Sequence, residues 1–162
     1  MKYKSVLIIL ALWATLVSCD QQLNNAWQSK PHINAFHEEE GVALFIKGER
    51  LSKGLEEAEV YFALNQDLIS GGFKQIFTFT LNGRTNWGED NIEVITPSDE
   101  TFEFEIYDGL LFNIDYESNE VSRFIELLNY DYLEIRSGDF RFTISSKDFM
   151  NLYNRYFRQS NS

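Results

Sequence analysis

The chain has 162 residues, with 25 acidic and 14 basic side chains and a formal net charge of −11. This acidity excludes nucleic acid as a natural partner, because phosphates repel carboxylates, whereas a basic protein or a cation is compatible with it. The single cysteine excludes an internal disulfide. The only two histidines, His32 and His37, lie near the N-terminus. Histidine-based triads, dyads and zinc sites are therefore excluded from the rest of the chain, and we predict no metal and no cofactor.

The first 18 residues have the layout of a secretory signal. Lys2 and Lys4 precede an apolar stretch over 6–17, and Ser18 is the small residue before a cleavage site. The apolar stretch is shorter than the roughly 20 residues of a transmembrane helix. A plain secretory signal would end here with no role for the cysteine that follows.

Cys19 closes the run Leu16-Val17-Ser18-Cys19, which resembles the lipobox of bacterial lipoproteins. The resemblance implies that residues 1–18 are removed and that Cys19 becomes an acylated N-terminus. It also implies a lipid-anchored place in the bacterial cell envelope. The anchor would lie in the inner or outer membrane facing the periplasm, or at the cell surface.

Residues 19–40 are predicted to be the lipidated cysteine and a flexible tether, because they are polar and carry no apolar period. A flexible chain of this length has an end-to-end distance of about 25 Å. Trp27 and Phe36 depart from this pattern, and each either docks on the domain or lies at the lipid interface. His37, beside three glutamates, is interpreted as part of a solvated hinge instead of a weak metal site.

Residues 41–162 are predicted to form one globular domain. Without the two lysines of the signal, 12 basic residues face 25 acidic ones, a net charge of −13. Apolar runs and alternating patterns predict strands at 41–48, 59–64, 73–81, 91–96, 101–106, 110–114, 132–136 and 140–144. The first of these is continuously apolar, which favours a strand covered on both faces. Asn82-Gly83 predicts a hairpin turn.

Two helices are predicted in the second half of the chain. Val121, Phe124, Ile125 and Leu128 lie on one helical face, with Ser118 or Asn119 as the cap. Residues 145–148 resemble a capping box in spacing, and an aromatic stripe from Phe149 to Phe157 follows. The fold class is therefore α+β. A mostly antiparallel, meander-like sheet would carry one or two helices on one face, including the C-terminal amphipathic helix.

Two places in the domain are candidates for chemistry or binding. Arg84 and Trp87 lie in a polar loop, and these residue types dominate binding energy at interfaces; the alternative is that Trp87 folds over the edge of the core. Glu103 and Glu105 lie on one strand face about 7 Å apart, a separation suited to acid-base work on a glycosidic bond. Alternation that places polar residues outward by default is the favoured explanation, and Arg136 or Arg141 then pairs with one of them across the sheet.

The sequence favours a binding protein of the envelope, anchored to the membrane through the lipid on Cys19. Its partner would be another envelope protein, possibly a basic one, and the domain would act as an inhibitor or immunity protein or as an assembly or maintenance factor. Two alternatives stay open. One is a hydrolase of cell-wall glycan that uses carboxylates alone, and the other is a carrier of small molecules or lipids.

Overall fold

Ten strands and two helices make up the part of the chain that the computed structural model describes, residues 25–33, 39–66, 73–114 and 118–158. The strands are β1 (Gln28–Ile33), β2 (Glu39–Lys47), β3 (Glu49–Arg50), β4 (Ala58–Gln66), β5 (Phe73–Leu81), β6 (Asn91–Ile95), β7 (Thr101–Glu105), β8 (Leu110–Phe112), β9 (Tyr132–Ser137) and β10 (Phe140–Ser145). The helices are α1 (Glu120–Leu127) and α2 (Phe149–Tyr156).

All paired strands are antiparallel, and they form two five-stranded sheets. The first sheet has the order β1-β2-β4-β5-β8 and the second has the order β3-β10-β9-β6-β7. The predicted α+β class, with its mostly antiparallel strands and its C-terminal helix, is confirmed. The strands are divided between two sheets, whereas the sequence suggested one.

The chain crosses from the first sheet to the second at Gly48, between β2 and β3. A Cβ atom at this position would lie 2.6 Å from Cδ2 of Phe142 and 3.2 Å from Cβ of Ala58. Since 2.6 Å is far below carbon–carbon contact distance, any larger residue would push the sheets apart here. Glycine therefore allows the close approach that joins the two apolar faces into one core.

Most side chains that the alternating patterns predicted to face the core are buried in the structure. Phe77, Phe79 and Leu81 of β5 are buried, and so are Phe104 of β7 and Phe142 of β10. Phe102 and Phe140, at the starts of their alternating runs, are only partly buried and pack against the edge of the same cluster. The core therefore lies between the sheets and is closed by the helices.

The helices pack on the inner side of the sheets through phenylalanine rings. Phe124 of α1 lies 4.6 Å from Phe77 and 5.6 Å from Phe104, centroid to centroid, and so contacts both sheets. Phe149 of α2 is fully buried and lies 5.8 Å from Phe62. The aromatic stripe of α2 is thus mainly core, although Tyr156 at its end is exposed.

The predicted caps differ from the observed ones. Asn119 occupies the N-cap position of α1, but its side chain makes no capping hydrogen bond. Oδ1 of Asn113 instead accepts a hydrogen bond from the amide of Val121 at 3.1 Å. The predicted capping box at 145–148 is wrong. Ser145 ends β10, and α2 begins only after Asp148, which has a left-handed backbone and no side-chain cap bond.

The domain begins earlier than residue 41. Trp27 is 2% exposed, and residues 28–33, placed in the tether by the sequence, form β1 at the edge of the first sheet. Pro31 is compatible with this edge position, where one side of the strand needs no hydrogen-bond donor. Part of the predicted 19–40 tether is therefore folded into the domain. Cys19, Phe36 and His37 lie outside the described residues.

Candidate functional site

The predicted binding loop lies at one end of the strands. The Trp87 indole packs against the core, and its Nε1 donates a hydrogen bond to Oγ of Ser137 at 2.8 Å. The Arg84 side chain is exposed. Because the half-buried indole is held by a hydrogen bond, the arrangement matches the alternative in which Trp87 folds over the core edge. Arg84 is then the member of the pair that is open to a partner.

Three turns meet at this end of the molecule, and we call residues 82–90, 107–109 and 137–139 together the turn end. The side-chain amide of Asn86 donates to Oδ1 of Asp108 at 2.7 Å, which joins two of the turns, and the Trp87–Ser137 bond joins the third. Exposed carboxylates surround the joint at Glu89, Asp90, Asp108 and Asp139. The turn end is therefore held together by side-chain hydrogen bonds and is acidic.

The opposite end of the molecule holds the start of the described chain. The indole of Trp27 donates to the carbonyl of Ser145 at 2.9 Å, and the Trp27 amide donates to the carbonyl of Lys147 at 3.0 Å. Ser145 pairs with Tyr132 at this end of β9 and β10, whereas Ser137 pairs with Phe140 at the other. Five residue steps of strand separate the two ends by about 17 Å. We call Trp27 with residues 128–132 and 145–150 the anchor end.

Glu103 and Glu105 are exposed on β7, the edge strand of the second sheet. Oε1 of Glu103 accepts a hydrogen bond from the Asn91 amide at 2.8 Å. Hydrogen bonding to Glu105 raises the pKa of the Tyr107 phenol. Exposed carboxylates on an edge strand lack the apolar surroundings that prepare a general acid. The geometry therefore gives the hydrolase hypothesis no support.

The arginines expected opposite those glutamates are engaged elsewhere. Oε1 of Glu134 accepts hydrogen bonds from Nε of Arg136 at 2.7 Å and from Nη2 of Arg141 at 2.9 Å. Burial alone would raise the pKa of Glu134, but the hydrogen bonds and the charges of both arginines outweigh it and hold that pKa below its usual range. The two arginines and Glu134 form one ion cluster on the outer side of the second sheet.

This cluster predicts a pH-dependent contribution to stability. Since the pKa of Glu134 is lowered in the fold, its contribution is present above the unfolded pKa and is lost as the pH falls through the folded pKa. We expect Glu134→Gln to lower the free energy of unfolding by about 0.5–1 kcal/mol at neutral pH, as for partly exposed ion pairs, and to lower it less near pH 3. Urea denaturation at both pH values measures this. Equal losses at the two would contradict it, and Glu103→Gln is the matched control.

The outer side of the first sheet carries an apolar surface that the sequence did not reveal. Its members are half-buried side chains that point away from the core on four neighbouring strands: Phe45, Tyr61, Ile76, Leu110 and Phe112. We call these five residues the aromatic face. Alternation explains the placement, because their strand neighbours Leu44, Phe62, Phe77 and Leu111 are fully buried on the inner side.

One signal in the sequence pointed to this surface. The continuous apolar run from Val42 to Ile46 predicted a strand covered on both faces. The structure packs α1 and α2 on the inner face of the sheet, through Phe124 and Phe149. On the outer face of β2, Ala43 is 3% exposed and Phe45 is half-buried, so this face is partly covered.

The aromatic face holds a cation at its edge. Nζ of Lys30 lies 4.2 Å from the ring centroid of Tyr61 and 5.0 Å from that of Phe45. The hydroxyl of Tyr61 donates to Glu59, and burial together with this hydrogen bond raises the pKa of Tyr61. Nζ of Lys47 lies 3.5 Å from Oε1 of Glu59. Ring faces and carboxylates thus combine here into a surface that binds ammonium groups.

The described residues contain no group of three or more metal-ligating side chains, and none of their helices has the length and apolar character needed to span a bilayer. No protein-family model matches the chain, and no curated protein and no solved structure is detectably similar to it. The candidate site is thus defined by its own geometry.

Proposed function

We propose that the protein is a membrane-anchored lipoprotein of the bacterial envelope whose acidic domain binds a basic envelope protein through the aromatic face. The observation that carries the proposal is the apolar outer side of the first sheet, whose side chains stay partly exposed in the described chain. The lipobox resemblance at Cys19 supports the anchor and the envelope location.

The composition of the aromatic face suits a protein partner. A large exposed apolar patch on a protein often marks an interaction site. Thr78 lies between Tyr61 and Leu110 in the register of the aromatic face. Aromatic side chains are enriched at the centre of such interfaces, and charged residues form the rim. Phe45, Tyr61 and Phe112 supply the rings, and Lys30, Lys47 and Glu59 lie at the edge near the first two.

The charge of the domain favours a basic partner. After signal removal the chain carries a net charge of −13, which attracts basic proteins over long distances and speeds their encounter. The Phe45–Tyr61 pair already receives the ammonium of Lys30. A lysine or arginine of a partner fits the same chemistry, because a ring face stabilises either cation. Both specific versions of the function, inhibitor or immunity protein and assembly or maintenance factor, require a protein partner, and the first would act on a basic enzyme.

Affinity capture of the lipidated full chain from detergent-solubilised envelope tests the proposal. We expect one basic protein to be retained in stoichiometric amount, and Phe45→Ala combined with Phe112→Ala to weaken its binding at least about tenfold, since ring removal at an interface centre typically costs more than 1 kcal/mol. The matched control is Arg84→Ala, at the turn end. Thermal unfolding of each variant shows whether it is folded.

Three outcomes of this capture have different meanings. Loss of the partner only in the Phe45 and Phe112 variant supports the aromatic face. Loss only in the Arg84 variant moves the binding site to the turn end and discards the aromatic face. Retention of no protein, together with turnover of cell-wall glycan by the purified domain, would contradict the binding proposal and favour the hydrolase.

A further inference from the structure

An open groove of about 440 Å³ lies at the anchor end, between the last turn of α1 and the start of α2. Its lining residues include the apolar Leu128 and Met150, together with Tyr130 and Lys147, and of these Leu128 is only 2% exposed. Ser146 also lines the groove, and its buried Oγ has no hydrogen-bond partner among the described residues. The groove thus joins apolar surface, a phenol and a cation within one concave site.

The groove lies where the chain from the predicted anchor enters the fold. The Trp27 amide donates a hydrogen bond to the carbonyl of Lys147, and Lys147 is one of the residues that line the groove. Trp27 follows Cys19 by eight residues. Eight residues reach at most about 29 Å when fully extended. A flexible chain of that length has an end-to-end distance of about 16 Å.

This short connection keeps Trp27 close to the bilayer. A lipid on Cys19 is seated in the membrane interface, so Trp27 stays within the reach of eight residues from it. The turn end lies about 17 Å further away along β9 and β10. Of the two ends, the anchor end is therefore the one with the shorter chain connection to the membrane surface.

We propose that the groove lined by Leu128, Tyr130, Lys147 and Met150 binds phospholipid headgroups at the surface of the membrane that holds the anchor. This inference rests on the proposed lipid anchor at Cys19. Lys147 would pair with a headgroup phosphate, and Leu128 and Met150 would contact the upper part of the acyl chains.

The exposed rings around the groove suit the same interface. Tyr130 is 37% exposed and Tyr132 is 47% exposed, and tyrosine concentrates at membrane–water boundaries because its ring is apolar and its hydroxyl is polar. Asp131 lies beside them and disfavours an anionic surface. The lipid class that the groove fits best is therefore zwitterionic.

A thiol-attached fluorophore measures the predicted orientation, since the acylated Cys19 leaves an introduced cysteine as the only free thiol. The lipidated chain is placed on phosphatidylcholine vesicles that carry a nitroxide quencher at the headgroup. We expect a probe at Asn129→Cys, beside the groove, to be quenched at least about twofold more than a probe at Asp139→Cys, at the turn end. Both positions are exposed, so labelling leaves the core intact.

A second variant separates contact from mere proximity. Tyr130→Ser combined with Lys147→Glu removes the ring and reverses the charge, and we expect it to reduce quenching of the Asn129→Cys probe by about half. Unchanged quenching in this variant, or equal quenching of the two probes on vesicle-bound protein, overturns headgroup binding while leaving the anchor in place. Protein that does not float with the vesicles overturns the lipid anchor itself and the orientation that depends on it.

Discussion

Replacing Trp27 with alanine is expected to lower the free energy of unfolding of the domain by about 3–5 kcal/mol, the usual cost of removing a buried aromatic side chain. The indole is 2% exposed and lies 4.8 Å from the ring of Phe149, edge to face. Its Nε1 also donates to the carbonyl of Ser145. The substitution therefore opens a cavity beside α2 and leaves a carbonyl without its donor. Urea denaturation of residues 20–162, followed by circular dichroism, measures the loss.

Two further variants make this prediction specific. Trp27→Phe keeps a ring in the cavity and removes the hydrogen bond, so we expect a loss that is clearly smaller than that of alanine. Gln28→Ala changes the exposed neighbouring residue and should leave stability within about 0.5 kcal/mol. A loss below about 1 kcal/mol for Trp27→Ala would show that β1 is no part of the cooperative unit.

Gly109→Ala is expected to lower the free energy of unfolding by about 2–5 kcal/mol. This figure adds the cost of alanine in a left-handed backbone conformation to the cost of overpacking, about 2–5 kcal/mol together. Gly109 has φ of +75°. A Cβ there would lie 2.3 Å from the carbonyl oxygen of Thr85, 2.7 Å from Cζ3 of Trp87 and 2.8 Å from the carbonyl oxygen of Phe79. Two of these neighbours are backbone atoms, which cannot move aside by a rotamer change. Thermal and chemical denaturation of the variant test the expectation.

Gly83→Ala is the matched control for Gly109→Ala. Gly83 has a similar φ of +73°, but an added Cβ meets nothing within 4 Å. Its cost is therefore the backbone cost alone, about 1–2 kcal/mol. If both variants lost the same stability, the close packing of the turns against Gly109 would contribute nothing.

Much of the fold could be predicted from local patterns. Alternation along β5, β7 and β10 identified the inward residues, because a strand with one buried face repeats every two residues. The spacing of apolar residues marked α1 and α2. Asn82-Gly83 and residues 137–139 mark turns in the structure as expected. These features depend on neighbours in sequence, so the sequence contains them directly.

What escaped prediction depends on distant partners. β1 is polar and carries a proline, and it becomes a strand because β2 supplies its hydrogen bonds and because Trp27 is buried beside Phe149. The division into two sheets depends on long-range pairing, and at one crossing, Gly48, the need for glycine comes from the positions of Phe142 and Ala58. Local propensity gives no access to such long-range contacts.

The candidate site shows the same limit. Trp87 was noticed for its residue type, and its partner Ser137, 50 residues away, decides that the ring is half-buried. The aromatic face was missed because an apolar run does not say which element covers each side of a strand. Register between β2, β4, β5 and β8 brings its members together, and register comes from tertiary pairing.

The burial of Trp27 also bears on how the protein responds to mechanical force. If the proposed lipid anchor and partner are present, a pull between them would enter the described domain at Trp27, where the chain meets Ser145 and Lys147, and then run along β1. β1 is joined to β2 by a ladder from Gln28 to Ile33. A load along the strand strains several of these bonds at once, while a load at right angles breaks them one by one. The direction of tension would then decide whether the domain stays folded while it holds its partner.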